Sequence, residues 1–290
     1  MTTPTIQRRR LGNALKVARE RAGKTQDEAA EQIDAAASKI SRLELGQSGI
    51  KLTDLSILLK FYGVDGDQVE SLRDLARAGR QRGRWGAYLN AIPDWFRQYV
   101  DLEAGASQIR WYQAEIVPGL FQTGGYIRAV LTAGQMKVDE DELNQQIALR
   151  KARSNILDQP DPPQLNVILS ESALRRNVGG SEVMREQLRY LADVAERRNI
   201  ELQVLPMDAP TYATTSFSFT LLRFDHDAAS DVVYLEDYTD ASYLDRLDAV
   251  RSYSTLWDRL SAAALGPVES RHLILRLAEQ HGGGDRGRSI

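Results

Sequence analysis

The sequence predicts an α+β protein with two domains of different architecture. Over residues 8–78 apolar side chains recur at helical spacing in five short segments, which predicts an all-α bundle of five helices. Over residues 91–280 strand-like segments and amphipathic helices alternate, which predicts a mixed α+β domain with a four- or five-stranded sheet. The basic, glycine-interrupted residues 79–90 are predicted to be a linker, and residues 281–290 a disordered tail. A chain of 290 residues is long enough for two hydrophobic cores.

Composition excludes several classes of protein. Because the chain has no cysteine, it has no disulfide, thiolate nucleophile or zinc finger. No apolar run reaches the roughly 18 residues that a membrane span needs. The N-terminal residues lack the apolar segment of a secretory signal. A cytoplasmic protein without membrane attachment is expected.

Charge is divided unevenly along the chain, whose net charge is −3. Residues 1–84 carry 16 Lys and Arg against 11 Asp and Glu, a net +5, whereas the remainder carries 21 against 29, a net −8. Neutralisation of nucleic-acid phosphates requires a basic excess of this kind. The N-terminal domain is therefore the part expected to bind nucleic acid.

Residues 25–46 are predicted to form two short helices joined by a tight corner. Thr25 is placed to cap the first helix, and Glu28 can complete a capping box. The alanine pair that follows is small enough for two helices to cross closely. The second helix is predicted over residues 36–45.

The second of these helices has a polar outer face. If Ile40 and Leu43 face inward, the outward side chains are small, hydroxylated or cationic: Ala37, Ser38, Lys39, Ser41 and Arg42. Such a face suits the major groove of DNA, where hydroxyl and guanidinium groups bind base edges. Gly46 ends the helix, since glycine adopts the left-handed conformation at low cost.

These segments resemble the helix-turn-helix regulators of the Cro/cI (XRE) class. The resemblance rests on Leu11-Gly12, which opens the first helix, and on Lys39-Ile40-Ser41-Arg42-Leu43-Glu44-x-Gly46, which closes the third. A second run, Ile116-Val117-Pro118-Gly119-Leu120-Phe121-Gln122-Thr123-x-x-Tyr126, resembles the entry to a C-terminal domain of unknown function. In many regulators of high-GC bacteria that domain follows this helix-turn-helix.

The resemblance implies a transcriptional regulator that binds operator DNA through residues 36–45. Contacts with phosphates or base edges are then expected from Gln26, Ala37, Ser38, Lys39, Ser41 and Arg42. Glu44 is expected to be structural, paired with a nearby arginine such as Arg19 or Arg21. A homodimer is expected, because one short helix makes too few base contacts for strong specificity.

Two positions depart from the pattern of that class, which has a capping Ser or Thr where Ala36 stands and a longer polar side chain where Ala37 stands. The lost cap is expected to cost about 1 kcal/mol of local stability. Ala37 gives up an adenine contact worth about 1–3 kcal/mol of discrimination, and could touch a thymine methyl group instead.

Two basic segments flank the bundle, and each leaves two interpretations open. Arg8-Arg9-Arg10 either lies on DNA phosphates or forms a solvated flexible end. Residues 77–84 either follow a minor groove or phosphates, as basic arms do, or serve as a plain solvated linker.

The C-terminal domain is predicted to alternate strands and helices. Strands are expected at residues 108–117, 165–169, 200–205, 217–224 and 232–236, the last two paired antiparallel around a connection that contains His226. Helices are expected at residues 139–157, with Leu143, Ile147 and Ala148 inward, and at residues 181–198, 242–265 and 268–280.

Side chains that hydrogen-bond beside an apolar wall make a ligand pocket one interpretation of this domain. The candidates are Arg110, Tyr112, Gln122, Thr123, Tyr126 and Glu171. The alternative is that Pro118-Gly119 sets a turn, Thr123 caps the next helix and Tyr126 packs in the core.

The sequence contains no GxGxxG, Walker, HExxH or GxSxG motif. His226, His272 and His281 have no partner at metal-ligand spacing, so no metal or cofactor is predicted. Glu171 could meet Glu236-Asp237 as paired carboxylates, although strand-end acids more often cap helices or face solvent. The chain is expected not to be an enzyme.

The main functional hypothesis gives the C-terminal domain the roles of dimerisation and of ligand or partner binding. The alternative is that this domain is an effector enzyme or a docking module, with the helix-turn-helix a weak anchor. The docked protein would be a small acidic companion, because the resemblance implies that such regulators are often encoded beside short acidic partners.

Overall fold

The computed structural model describes residues 4–80, 92–133, 139–209, 217–224 and 231–283. The chain divides into two compact units. Of the described residues, the first unit holds 4–80, 97–106, 224 and 231, and the second holds the others. The α+β class is confirmed, with an N-terminal helical bundle and a C-terminal mixed sheet. Within the described ranges, no helix has the length and apolar character needed to cross a membrane.

The first unit contains the five predicted helices. They are α1 (Pro4–Arg21), α2 (Gln26–Gln32), α3 (Ala37–Glu44), α4 (Leu52–Phe61) and α5 (Asp67–Ala78). Their apolar sides meet in one core, in which Leu15, Ile40 and Leu55 are at most 2% exposed. Burial of these faces stabilises helices that are too short to persist alone.

Helix α1 begins at Pro4, earlier than the predicted opening at Leu11. Ile6 is 1% exposed, Arg9 is buried, and Arg8 Nε donates a hydrogen bond to the Gly79 carbonyl at 2.7 Å. A solvated flexible end is therefore wrong for Arg8-Arg9-Arg10. The aliphatic parts of these arginine side chains pack along the helix, although the charge of arginine alone would predict exposure to solvent.

Two glycines let α1 cross the end of α3 with the backbones in contact. A Cβ on Gly12 would stand 2.4 Å from the Leu43 carbonyl oxygen and 2.5 Å from that of Glu44. Gly46 has φ +70°, and a Cβ there would stand 2.6 Å from Arg9 Cα. Both positions therefore require glycine, and they fix the depth at which α3 sits against α1.

The second unit is built on one sheet. Helix α6 (Asp94–Glu103), of which residues 97–103 belong to the first unit, precedes the sheet in the chain. The strands of the sheet are β1 (Gln108–Gln113), β2 (Gln164–Ser170), β3 (Ile200–Leu205), β4 (Phe219–Arg223), β5 (Val232–Glu236) and β6 (Ala241–Leu244). Its helices are α7 (Gly124–Ala133), α8 (Glu140–Ser154), α9 (Glu171–Arg175), α10 (Ser181–Val194), α11 (Leu247–Ala263) and α12 (Pro267–Gly283).

The described strands lie in the order β3-β2-β1-β4-β5-β6. β1 pairs in parallel with β2, and β2 with β3, whereas β4, β5 and β6 add on antiparallel. The antiparallel β4–β5 pair is as predicted. The sixth strand was missed: residues 241–244 were assigned in part to a helix, because four residues at a sheet edge, three half-buried and one exposed, show no clear period.

Some predicted helix bounds also change. The helix expected over residues 139–157 ends at Ser154 as α8 and continues as a 3-10 turn, Asn155–Asp158. Leu143 is buried as predicted, but Ala148 is exposed. Helix α12 extends to Gly283, into the segment predicted as a tail. Residues 81–90 of the predicted linker, the connection around His226 and residues 284–290 of the tail lie outside the described residues.

Candidate nucleic-acid interface

The corner between α2 and α3 is fixed by local hydrogen bonds and close packing. The capping box is present: Glu28 N donates to Thr25 Oγ1 at 3.1 Å, and Thr25 N donates to Glu28 Oε2 at 2.7 Å. Ala29 is fully buried. Asp34 turns the chain with φ 49°, a conformation that Asp adopts more readily than most residues. This geometry fixes the direction in which the chain enters α3.

Glu44 anchors the C-terminal end of α3 from inside. Its two carboxylate oxygens accept from Arg19 Nε at 2.6 Å and Arg19 Nη2 at 3.1 Å, and Gln26 Nε2 donates to it at 2.8 Å. The hydrogen bond to Glu44 raises the pKa of Arg19. The expected pairing of Glu44 with an arginine is confirmed, and the partner is Arg19. Gln26, expected on a phosphate, is held beside α3 by the same carboxylate.

The outer face of α3 is polar and accessible. Ser38 and Arg42 are exposed, while Ala37 and Ser41 are half-buried. Arg42 Nε makes one long hydrogen bond, 3.4 Å, to the Ser38 carbonyl. Because that contact is weak, the guanidinium group can reorient toward a ligand at little cost.

Lys39 is at the edge of this face and is already paired. Its Nζ lies 3.0 Å from Asp54 Oδ2 on α4, and the lysine side chain is 38% exposed. A phosphate contact by Lys39 would have to exchange this ion pair for one with DNA. Asp54 is thus a built-in competitor for a predicted DNA contact.

The N-terminus of α3 lacks a side-chain cap, as the sequence indicates. Ala36 has extended backbone angles, φ −83° and ψ 151°, and makes no capping hydrogen bond. Sequence reasoning did not single out Lys51, which is exposed at the N-cap of α4, also without a capping hydrogen bond. The sequence signal for Lys51 was its position immediately before a predicted helix. A cation there lies beside the backbone amides of the helix N-terminus, which can bind phosphate.

The six ligand candidates of the C-terminal domain do not form one group. Tyr112 lies in the core beneath α11, and Arg110 lies over the Trp257 ring of α11 at 5.8 Å. On the opposite face of the sheet, Trp111 contacts Phe121 edge-on at 5.7 Å. The polar candidates that follow Phe121 are therefore separated from Arg110 and Tyr112 by the sheet.

Most polar groups of the turn after β1 are already hydrogen-bonded to other residues of the protein. Gln122 Nε2 donates to the Val117 carbonyl at 2.7 Å, and Val117 N donates to the Tyr126 hydroxyl at 3.2 Å. Thr123 Oγ1 accepts from Tyr126 N at 3.4 Å at the start of α7. Thr123 N donates to Gln187 Oε1 at 2.8 Å. These contacts support the cap and packing roles that were the alternative to a pocket.

Two family models match the chain. The one described as "Domain of unknown function (DUF5753)" matches residues 96–276. The chain belongs to the DUF5753 family. The second, described as "Helix-turn-helix domain", matches residues 10–72, and so the DUF5753 domain follows a helix-turn-helix as the resemblance implied. Comparison with curated proteins and with solved structures gave no match.

The helix-turn-helix match supports a DNA-binding regulator. It does not extend into the DUF5753 domain, which carries none of the residues assigned to DNA. The interface candidates Gln26, Ser38, Lys39 and Arg42 all lie inside the matched range.

The carboxylates considered for catalysis are apart in the DUF5753 domain. β2, which ends before Glu171, and β5, which ends at Glu236, are separated by β1 and β4. That separation is about 14 Å at normal strand spacing. Glu171 accepts from Arg175 Nε at 2.7 Å and Met207 N at 2.9 Å, and Asp237 Oδ1 caps the turn at Thr239 and Asp240. In the described residues no group of His, Asp and Glu is arranged to hold a metal ion.

Sequence reasoning also missed two arginines of the DUF5753 domain. Arg153 is 6% exposed and Arg150 is half-buried, both on the inner side of α8. Burial lowers the pKa of Arg150 to about 10, and repulsion from Arg153 adds to that effect. The signal was helical spacing: the stripe begun by Leu143 and Ile147 reaches position 150, where an arginine replaces an apolar residue.

Proposed function

We propose that this protein is a transcriptional regulator that binds operator DNA through the outer face of α3. The proposal rests on the difference between the two sides of α3, one packed and one exposed. Its inner side is locked by Ile40, Leu43 and the Glu44–Arg19 pair, while Ser38 and Arg42 are exposed on the other side. A rigid helix with free hydrogen-bonding side chains can hold them in register with base edges.

The remaining parts of the proposal concern the assembly and its surroundings. The DUF5753 domain would provide a dimer surface and bind a ligand or partner. The partner proposed for that domain is a small acidic companion protein. A cytoplasmic location belongs to the proposal because operator binding requires access to the chromosome.

The salt dependence of binding to a random-sequence DNA duplex tests the phosphate contacts. For the full-length protein, log K should fall linearly with log salt concentration. If Arg42 contacts a phosphate, Arg42→Ala should reduce the slope by about 1. Asp54→Asn, which releases Lys39, should strengthen binding at low salt.

Matched controls come from the same chain. Arg128→Ala removes an exposed cation from α7, and Asp74→Asn removes an exposed carboxylate from α5; neither lies near α3 in the sequence, and neither should change the slope. Fluorescence anisotropy at several salt concentrations supplies the measurement. Equal slopes for wild type and Arg42→Ala, with no gain from Asp54→Asn, would contradict the proposed phosphate contacts.

A further inference from the structure

The turn after β1 and the inner side of α8 enclose a group of hydrogen-bond donors in the second unit. Arg150 donates to the Gln122 side-chain oxygen, whose amide group is in turn bound to the Val117 carbonyl. Arg153, one helical turn further on, stacks on the Phe96 ring at 4.9 Å. A Cβ on Gly119 would lie 3.7 Å from Arg153 Nη1, so this guanidinium group lies against the bare backbone of the turn.

The positive charge of Arg150 is poorly compensated within the protein. Among the described residues its hydrogen-bond partner is a neutral amide, and no carboxylate lies within ion-pair distance. The carboxylate whose charge acts on it is that of Glu236, which is exposed and accepts from the Tyr234 hydroxyl at 2.8 Å. A half-buried guanidinium group without an anionic partner is costly, unless an anion binds to it.

The hydroxyl group of Tyr126 is a further hydrogen-bond donor near Arg150. Its side chain is fully buried, and its hydroxyl oxygen accepts from Val117 N. In the part of the chain that the structure describes, no group accepts the hydroxyl hydrogen. Burial raises the pKa of Tyr126, whereas the hydrogen bond from Val117 and the positive charge of Arg150 oppose the shift. The phenol therefore remains a neutral donor at physiological pH.

From this arrangement we infer that Arg150 and Tyr126 form a binding site for a small oxyanion, a phosphate or carboxylate group of a ligand. Guanidinium groups bind such anions in a bidentate manner, and a buried hydroxyl adds a directed hydrogen bond. A small ion fits better than an acidic side chain of a folded partner, because Tyr126, Arg153 and Gln122 are all less than a tenth exposed.

This inference deepens the ligand-binding part of the proposed function and rests on it. It moves the site from the six residues suggested by the sequence to Arg150 and Tyr126, of which only Tyr126 was among the six, while Gln122 accepts a hydrogen bond from Arg150. The remaining sequence candidates, Arg110, Tyr112, Thr123 and Glu171, take no part.

Isothermal titration calorimetry of the full-length protein with sodium phosphate and sodium acetate tests the site. Titration with sodium chloride at equal ionic strength is the blank. At least one oxyanion should bind to the wild type, and Arg150→Gln should weaken that binding about tenfold or more, since a charged hydrogen bond contributes about 1.5–3 kcal/mol. The tighter of phosphate and acetate identifies the anionic group of the natural ligand.

Two further variants make the outcome decisive. Tyr126→Phe keeps the buried ring and should weaken binding severalfold, which provides a test if Arg150→Gln does not fold. Arg128→Gln, which removes an exposed cation from α7, should bind the anion as the wild type does. Absence of heat above the chloride blank, or equal affinity in wild type, Arg150→Gln and Tyr126→Phe, would overturn the inference.

The anion site and the DNA interface can fail separately. Arg42→Ala should leave anion binding unchanged, and Arg150→Gln should leave binding to random-sequence duplex unchanged. If the wild type bound DNA but no anion, only the proposed oxyanion site would be disproved. Intact anion binding without any DNA binding would remove only the regulator proposal.

Discussion

Individual side chains of the first unit either hold the bundle together or remain available to a ligand. Glu44 belongs to the first group, since its carboxylate binds both Arg19 and Gln26. Arg42 belongs to the second, since it is exposed and makes one weak contact. Lys39 is intermediate, because Asp54 holds it at the edge of the face. The availability of a cation to DNA thus depends on its neighbours as much as on its position in the helix.

Removal of Glu44 tests the structural role of the buried pair. Glu44→Ala should lower the free energy of unfolding by about 3–5 kcal/mol, because the buried Arg19 loses its close carboxylate partner and keeps only a 3.8 Å contact with the exposed Glu20. Urea denaturation followed by circular dichroism measures the change. The control Glu70→Ala, which breaks an exposed ion pair of α5, should cost less than about 1 kcal/mol.

The double variant Arg19→Met/Glu44→Leu separates charge burial from packing. It should be more stable than Glu44→Ala alone, because neither charge remains buried. If Glu44→Ala were as stable as Glu70→Ala, the pair would not anchor α3, and the rigid-helix argument for DNA recognition would lose its basis.

Helices and strands differ in how far the sequence determines them. The α2–α3 corner was predictable because its signals are local: the capping box at Thr25, the alanine pair and the glycine that ends α3. Edge strand β6 was not, because its pairing with β5 depends on a distant part of the chain rather than on its own pattern. Arg150 and Arg153 were missed for a different reason: helical spacing from Leu143 and Ile147 reaches position 150, but a charged side chain is ordinarily expected to face solvent.

The contact of α1 with α3 supplies a test at one glycine. Gly12→Ala should destabilise the bundle by about 1–3 kcal/mol, because its Cβ would overlap the carbonyl oxygens of Leu43 and Glu44. Gly49→Ala is the matched control: a Cβ there meets no atom within 4 Å, and the variant should be unchanged or slightly more stable. Both are measured by urea denaturation, and equal stabilities would contradict the close helix crossing.

The complete chain combines a basic N-terminal part with an acidic C-terminal part, and its net charge of −3 conceals that division. A single α3 helix presents too few base contacts for strong specificity, so the proposed regulator requires two copies. Sedimentation of the full-length protein at micromolar concentration should show a dimer. A monomer both free and on DNA would contradict that requirement.

The most direct test of DNA recognition by α3 is selection of bound duplexes from a random DNA pool at physiological salt. Full-length wild type and Arg42→Ala would be compared in parallel. We expect the wild type to enrich a two-fold motif with half-sites about one helical turn apart, and Arg42→Ala to lose it. If neither protein enriches a sequence and both bind equally weakly, the helix-turn-helix is at most a non-specific anchor, and the proposed function is wrong.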